Sequence, residues 1–307
     1  MLAFLKQLDR ASGQIGLTLD PGRVAIAEVH HAAGGGKPVL AVCKLFDQSD
    51  EDALARAVRA LDNRRLPSVS LLPRSSYQML LVEAPQVPQA ELRAAVRWRI
   101  KDLIDCHVDD AVIDVFQMPS QERSGTQQMM YAIAARAEEV KSQIGAVESS
   151  GLKLDAIDIV ELALRNVATA LEGEDRGVAL LYLADTAGFL LLVRHGVLYL
   201  ARHIETGVVT LRNAAGLRAD IVAGLALEIR RSLDYFESHY EQSAIRTLHT
   251  AGLEPSDREQ VAGELGIAVR EVAFASFLAT ADAYDAEIQR LCLPAVGAAL
   301  RHDTVAL

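Results

Sequence analysis

The chain has 307 residues, of which half are hydrophobic and 23% are charged, and its formal net charge at pH 7 is −10. This length and composition can bury a large core and predict two lobes. The acidic balance argues against nucleic acid as the main partner, because binding to phosphates requires clustered lysine and arginine.

The sequence favours a cytoplasmic protein without a membrane span of its own. Its three cysteines stand singly, which is typical of reduced thiols rather than a disulfide framework. The longest apolar run, 178–193, is interrupted by Asp185 and is shorter than the ~20 residues that a membrane span needs. Residues 1–10 are too short for a signal peptide and predict a small terminal helix, either frayed or resting on a partner or a lipid surface.

Hydrophobic periodicity and turn residues predict alternating strands and helices. The first part predicts strands at 14–19, 24–31 and 38–46, a helix at 51–64, and short strands at 68–72 and 78–83. After the prolines of 84–89, the pattern predicts a helix at 89–105, strands at 111–118 and 127–135, a helix at 137–150, a strand at 152–159 and a helix at 160–172. The last part predicts strands at 178–184, 188–194 and 197–204, a helix at 217–242, a strand at 245–250 and a helix at 257–265. This order indicates an α/β chain.

Two stretches 164 residues apart, 14–29 and 178–193, share one pattern of strand, short polar turn and strand. Such a unit, repeated once, predicts two similar subdomains that each open with a hairpin. The pattern resembles the actin/Hsp70/sugar-kinase superfamily, in which the two turns face each other and hold the phosphates of ATP.

Longer phrases resemble the PilM-type proteins of type IV pilus assembly, most closely the MshI group that serves MSHA-type pili. They are Ile15–Leu17, Glu91–Ile104 with Val112–Val115, Ala134–Arg136, Gly151–Asp158 and Glu228–Phe236. The resemblance covers essentially the whole chain. It implies an actin-like (ribonuclease H-like) duplicated two-lobe fold with an inserted α+β subdomain, similar to the cell-division protein FtsA. The expected boundaries are 1–85 for the first lobe, 86–170 for the inserted subdomain and 171–307 for the second lobe.

The same resemblance implies a scaffold role in the pilus assembly platform, peripheral to the cytoplasmic face of the inner membrane. The expected partner is the cytoplasmic tail of a PilN-like single-pass inner-membrane protein, and the assembly ATPase is a second candidate partner. Membrane association would be indirect, through the partner.

The chain departs from the family pattern where a nucleotide would bind. In the first turn, Thr18 replaces an Asp, Asp20 replaces a Gly and Ala25 replaces a Lys. In the second turn, Tyr182 and Ala184 replace an Asp and a Gly. Asp20 would repel a phosphate and place a side chain where backbone should approach. The expected remnant is a degenerate cleft formed by Thr18, Asp20, Gly22, Tyr182, Asp185, Thr186 and Gly252.

We therefore expect a pseudo-ATPase that binds neither ATP nor magnesium, with Tyr182 filling part of the cleft. An ATP-binding switch of pilus assembly or type II secretion is the alternative, in which Asp20 or Asp185 has taken the magnesium role. A kinase of the same superfold would need an intact phosphate grip and a general base, and the sequence offers neither. We expect no metal site, because His30-His31 and Asp109-Asp110 have no further ligands at suitable spacing.

The predicted helix 89–105 carries the candidate partner-binding residues. Its apolar stripe is Leu92, Val96, Ile100, Leu103 and Ile104, and the face away from it carries Arg97, Trp98 and Lys101. In the family, the partner's tail lies in a groove between the first lobe and the inserted module. Trp98 is therefore either an interface anchor or a core residue beneath a neighbouring subdomain.

Overall fold

The computed structural model describes residues 13–32, 36–47, 52–119, 128–172 and 177–302. The helix predicted for residues 1–10 lies outside these residues, as do most of the glycine turn at 34–36 and of the loop between 119 and 126. None of the described helices combines the length and apolar character that crossing a membrane requires.

The described residues form strands and helices in alternation. The strands are β1 Gly13–Asp20, β2 Arg23–His30, β3 Val39–Asp47, β4 Pro67–Leu71, β5 Tyr77–Glu83, β6 Ala111–Gln117, β7 Met129–Arg136, β8 Lys153–Asp158, β9 Val178–Leu183, β10 Gly188–Arg194, β11 Val197–Ile204, β12 Thr247–Ala251 and β13 Ala268–Glu271. The helices are α1 Ala53–Arg59, α2 Leu92–Ile100, α3 Ala137–Ser149, α4 Val160–Leu171, α5 Val208–Asn213, α6 Arg218–Tyr240, α7 Pro255–Leu265, α8 Phe274–Phe277 and α9 Ala286–Ala299.

Two five-stranded sheets repeat one topology, with the orders β3-β2-β1-β4-β8 and β11-β10-β9-β12-β13. In each sheet, three antiparallel strands are followed by two strands that run parallel to the first strand of the hairpin. The two hairpins, β1–β2 and β9–β10, are the two that share a sequence pattern. The prediction of a duplicated, two-lobe α/β architecture is confirmed.

The inserted module is a three-stranded sheet, β5-β7-β6, with α2 packed on one face. Leu92, Val96 and Ile100 of the predicted stripe pack there against Val115 and Met130. The helix ends at Ile100 rather than at residue 105, and Leu103 is exposed.

Sheet membership differs from the boundaries expected at 86 and 170. Strand β5 pairs with β7 and so belongs to the inserted module, whereas β8 pairs with β4 and completes the sheet of the first lobe. The prolines Pro85 and Pro88, which lie next to the expected boundary at 86, stand in the connection from β5 to α2 inside the module. Proline interrupts regular structure wherever it stands, so it did not mark the edge of the module here.

Helix α9 lies between the two lobes and was not predicted. It packs against β1, β2 and α4, and residues 292–300 are buried. Because these residues are apolar on every side, no amphipathic pattern marks the helix, and Pro294 stands inside it. The core around α9 contains residues of both lobes, including Ala27 of β2 and Leu191 of β10, so one apolar core joins the two halves.

Candidate functional site

The two hairpin turns meet in the cleft between the lobes. The first turn is Pro21-Gly22, and Gly22 has φ +95°, which the second central residue of this kind of turn requires. The second turn is closed by the Ala184 N–H, which donates to the carbonyl of Ala187 at 2.8 Å. Arg23 Nη1 donates to Asp185 Oδ2 at 2.5 Å, so an ion pair connects the hairpins of the two lobes.

A second arginine reaches the same carboxylate from α9. Arg290 is only 4% exposed, and its Nη2 donates to Asp185 Oδ1 at 2.9 Å while its Nη1 donates to the carbonyl of Leu183 at 3.3 Å. Partial burial alone would raise the pKa of Asp185, but the hydrogen bonds and charges of Arg23 and Arg290 outweigh it and lower that pKa. Asp185 is therefore an ionised carboxylate held by two guanidinium groups.

Buried hydroxyl groups stand at the two turn positions that correspond to Asp in the PilM-type pattern which the sequence resembles. Thr18 and Tyr182 are both buried, and the Thr18 hydroxyl offsets part of the rise in the pKa of the Asp20 carboxyl. Burial raises the pKa of Tyr182, and the charge of Arg290 only partly offsets this. The predicted residues Thr18 and Tyr182 thus border the cleft as neutral groups.

The remaining predicted cleft residues lie at its rim. Asp20 retains contact with solvent, yet the surrounding protein displaces enough water to raise its carboxyl pKa, an effect that Thr18 and Arg23 only partly offset. Thr186 is exposed at the second turn. Arg23 and Arg290, which organise the cleft, were not predicted from the sequence. For Arg290 the reason is that α9 itself gave no periodic pattern.

Gly252 directly follows the last residue of β12, next to the end of β9. Its φ is +107°, and a Cβ there would lie 2.9 Å from the carbonyl oxygen of Leu183, so glycine is required. Beside it is a pocket of about 170 Å³, lined by residues that include Val208, Arg218, Gly252, Glu254 and Arg290. Arg218 is bound by Asp257, with N–O distances of 2.9 and 2.8 Å, and by Glu254 at 3.0 Å.

A second site is a groove of about 490 Å³ between the inserted module and the first lobe. Val112, Asp114, Val115 and Phe116 of β6 line one wall, together with residues of β7. The other wall is formed by the last three residues of β8 and by Ile159, which follows them. Strands β6 and β8 are each the last strand of their sheet. The groove thus has apolar walls, and both of its sides end in an edge strand.

Two ion pairs flank the apolar part of the groove. Arg93 Nε donates to Asp114 Oδ1 at 2.9 Å, and Arg301 Nε lies 3.5 Å from Asp158 Oδ2. Arg93 of helix α2 lines the groove. It lies one helical turn before Arg97, the first of the three residues predicted to bind the partner.

The three predicted partner-binding residues have different surroundings. Trp98 is 69% exposed, so the interpretation that it packs in the core is wrong, and it does not line the groove. Arg97 donates to the carbonyls of Val108 and, at 3.1 Å, of Ala111, so it ties α2 to the turn before β6. The Lys101 amine lies 6.0 Å from the centre of the Trp98 ring.

Comparison with known proteins identifies the architecture. The structure titled "PilM-PilN type IV pilus biogenesis complex" matches with a TM-score of 0.69 and 19% sequence identity, over 94% of this chain and 98% of that chain. The chain has an actin-like fold. The cytoplasmic domain of EpsL, an inner-membrane component of the type II secretion system of Vibrio cholerae, matches with a TM-score of 0.50 and 12% identity, over 92% and 94% of the two chains. No protein-family model and no curated protein matches the sequence.

Proposed function

We propose that the chain is a non-catalytic scaffold of a type IV pilus assembly platform of the MSHA type. In this role, the groove binds the cytoplasmic tail of a PilN-like inner-membrane protein and so holds the scaffold at the cytoplasmic face of the membrane. The observation that carries the proposal is the groove itself, with its apolar walls and two edge strands. The likeness in fold to the PilM–PilN complex supports it.

An extended peptide fits the chemistry of this groove. Edge strands present unpaired backbone N–H and C=O groups, to which a short segment adds as a further strand. The apolar residues Val112, Phe116, Ile133 and Ile157 would accept alternate side chains of that segment. A short extended tail that carries apolar side chains would match these walls.

The arrangement of the cleft supports the non-catalytic half of the proposal. Magnesium prefers oxygen ligands, usually carboxylates together with phosphate and water. Here the Asp185 carboxylate already accepts hydrogen bonds from Arg23 and Arg290, and Thr18 and Tyr182 offer neutral groups in place of the two acids. Asp20 is the remaining carboxylate at the two turns, and its raised pKa makes it a poorer ligand than an ordinary carboxylate, so this donor set suits a magnesium ion poorly.

The proposal is tested by titrating the chain with a synthetic peptide of the cytoplasmic tail of the PilN-like protein from the same genome. Val112→Glu places a charge on an exposed part of the groove wall, since Val112 is 46% exposed. It should weaken binding of the peptide at least tenfold without changing Tm. The matched control is Val197→Glu, because Val197 is 42% exposed on β11 of the second lobe. It should bind as the wild type does. Absence of binding by the wild type, or equal binding by Val112→Glu, would refute the proposed function.

A further inference from the structure

The inserted module is joined to the rest of the chain at one compact joint. The connection from β4 enters the module at Tyr77, and β7 leaves it directly into α3. The two crossings are neighbours, because Tyr77 pairs with Ala135 near the end of β7. On the side of the lobe, the Leu72 N–H donates to the carbonyl of Asp158 at 2.9 Å. This joint is where the module is held directly against the first lobe, while its other side contacts the second lobe, whose Ala201 N–H donates to the Tyr131 hydroxyl at 3.3 Å.

A buried hydrogen bond crosses this joint. Tyr77 is 3% exposed and Glu161, in the first turn of α4, is 1% exposed. The Tyr77 hydroxyl donates to Glu161 Oε2 at 2.5 Å. Arg74 covers the solvent side, with its Nε 4.0 Å from Glu161 Oε1 and its guanidinium carbon 5.0 Å from the centre of the Tyr77 ring. A carboxyl group thus connects α4 to the first residue of the module.

The hydrogen bond lies directly behind the groove. Ile159 and Leu162, close to Glu161 in sequence, line the groove on the side of the lobe, and Ala135, the strand partner of Tyr77, lines it on the side of the module. Leu72, Tyr77, Ala135 and Ile159 form one buried apolar cluster. Any change in the distance between Glu161 and Tyr77 must therefore move one wall of the groove relative to the other.

Stability alone does not account for a carboxyl group at this position. Burial raises the pKa of Glu161 and of Tyr77, because water that would solvate the charged forms is excluded. Replacing a buried polar pair by apolar side chains of similar volume is often neutral or stabilising. A buried directional hydrogen bond, in contrast, fixes one geometry where apolar contacts permit sliding.

We propose that Glu161 is a positioning residue, whose hydrogen bond from Tyr77 fixes the angle of the inserted module on the first lobe and thereby the width of the groove. The inference rests on the proposed function for its effect on the partner, but the fixed angle can be measured without any partner.

Tyr77→Phe is the principal test, because it deletes the hydroxyl and keeps the ring. The variant should bind the tail peptide about tenfold more weakly, since a factor of ten corresponds to about 1.4 kcal/mol, and an intramolecular hydrogen bond is worth up to about that much. The matched control is Tyr240→Phe, which deletes the hydroxyl that donates to the carbonyl of Tyr199 at 3.2 Å in the second lobe. The control should lose stability and keep the affinity of the wild type.

Glu161→Gln separates positioning from mere stability. The glutamine carbonyl can accept the hydrogen bond from Tyr77 at the same length, so this variant should bind within about twofold of the wild type. Amide hydrogen exchange gives the readout that needs no partner. Tyr77→Phe should speed exchange in β6 and β8 and leave β9 unchanged, whereas Glu161→Gln should leave all three near the wild type.

The outcomes distinguish the two proposals. If the wild type does not bind the peptide but Tyr77→Phe still loosens β6 and β8, the proposed function fails and the positioning role stands. If the wild type binds and Tyr77→Phe binds equally well with unchanged exchange, the positioning role is overturned. Should Tyr77→Phe fail to fold, Arg74→Met, which opens the solvent side of the same joint, should weaken the peptide about threefold. Unchanged affinity in that variant would equally overturn the inference.

Discussion

Asp185 holds together three parts of the molecule that are distant in sequence. Its carboxylate accepts hydrogen bonds from the first hairpin through Arg23 and from the central helix through Arg290. The two arginines differ in surroundings, because the Arg23 side chain is 43% exposed and that of Arg290 is 4% exposed. Removing the partner of a partly exposed charge costs little free energy, because water still solvates that charge. Removing the partner of a buried charge costs more, because nothing compensates the charge that remains.

This difference predicts unequal effects of two substitutions. Asp185→Ala leaves the buried guanidinium of Arg290 without its nearest carboxylate and should lower the free energy of unfolding by about 2 kcal/mol or more. Arg23→Ala removes the partly exposed half of the pair and should cost less than about 1 kcal/mol. Urea denaturation of both variants measures this. Equal losses in the two variants would contradict the assigned role of Arg290.

At the scale of elements, the central helix α9 is fixed by close backbone contacts. A Cβ at Gly16 of β1 would lie 1.9 Å from the carbonyl oxygen of Ala295, and a Cβ at Gly297 would lie 2.2 Å from that of Ala163 in α4. Both distances are far below van der Waals contact, so the helix packs against the neighbouring strand and helix through glycine at both points.

Replacing glycine by alanine should therefore have opposite effects on stability in α9 and in α6. Gly297→Ala should destabilise the protein by about 2 kcal/mol or more, because the new methyl group overlaps backbone that cannot easily move. Gly224→Ala in α6, where nothing lies within 4 Å of the new Cβ, should stabilise by about 0.5–1 kcal/mol, because alanine is the better helix former. Thermal denaturation of the pair checks the prediction, and a stabilised Gly297→Ala would show that α9 packs less closely.

Elements with local signals were predicted well from the sequence, and those set by distant contacts were not. The hairpins β1–β2 and β9–β10 were found because turn residues between apolar runs specify a hairpin on their own. The assignment of β5 and β8 depends on which sheet each strand joins, and no local pattern contains that information. In the same way, the positions of Thr18 and Tyr182 followed from the sequence repeat. Arg290 is placed by α9, and the apolar environment of that helix arises from tertiary contacts that no local pattern reveals.

At the scale of the whole molecule, the lobes share one apolar core and an ion pair across the cleft. In a nucleotide-dependent member of this fold, the ligand itself would bridge the two turns. Here side chains of the protein already do so, and we propose that the relation of the lobes does not depend on a nucleotide.

A thermal-shift titration tests that proposal directly. About 1 mM Mg-ATP should leave Tm unchanged relative to Mg²⁺ alone. A dissociation constant near 10 μM would instead stabilise the native state by about 2.7 kcal/mol, which corresponds to a rise of several degrees for a chain of this size. A rise that disappears in Asp185→Ala would identify Asp185 as a magnesium ligand and favour the ATP-binding switch.

The packing of β1 against α9 also constrains how the protein folds during synthesis. Strand β1 packs against α9, and the sheet of the first lobe is completed by β8 only after the inserted module has been made. Although domains usually fold in the order in which they leave the ribosome, the N-terminal half of this chain lacks a complete core until residue 299 has emerged. The lobes therefore reach their native packing only after α9 has been synthesised, and until then the apolar faces of β1 and β2 remain available to chaperones.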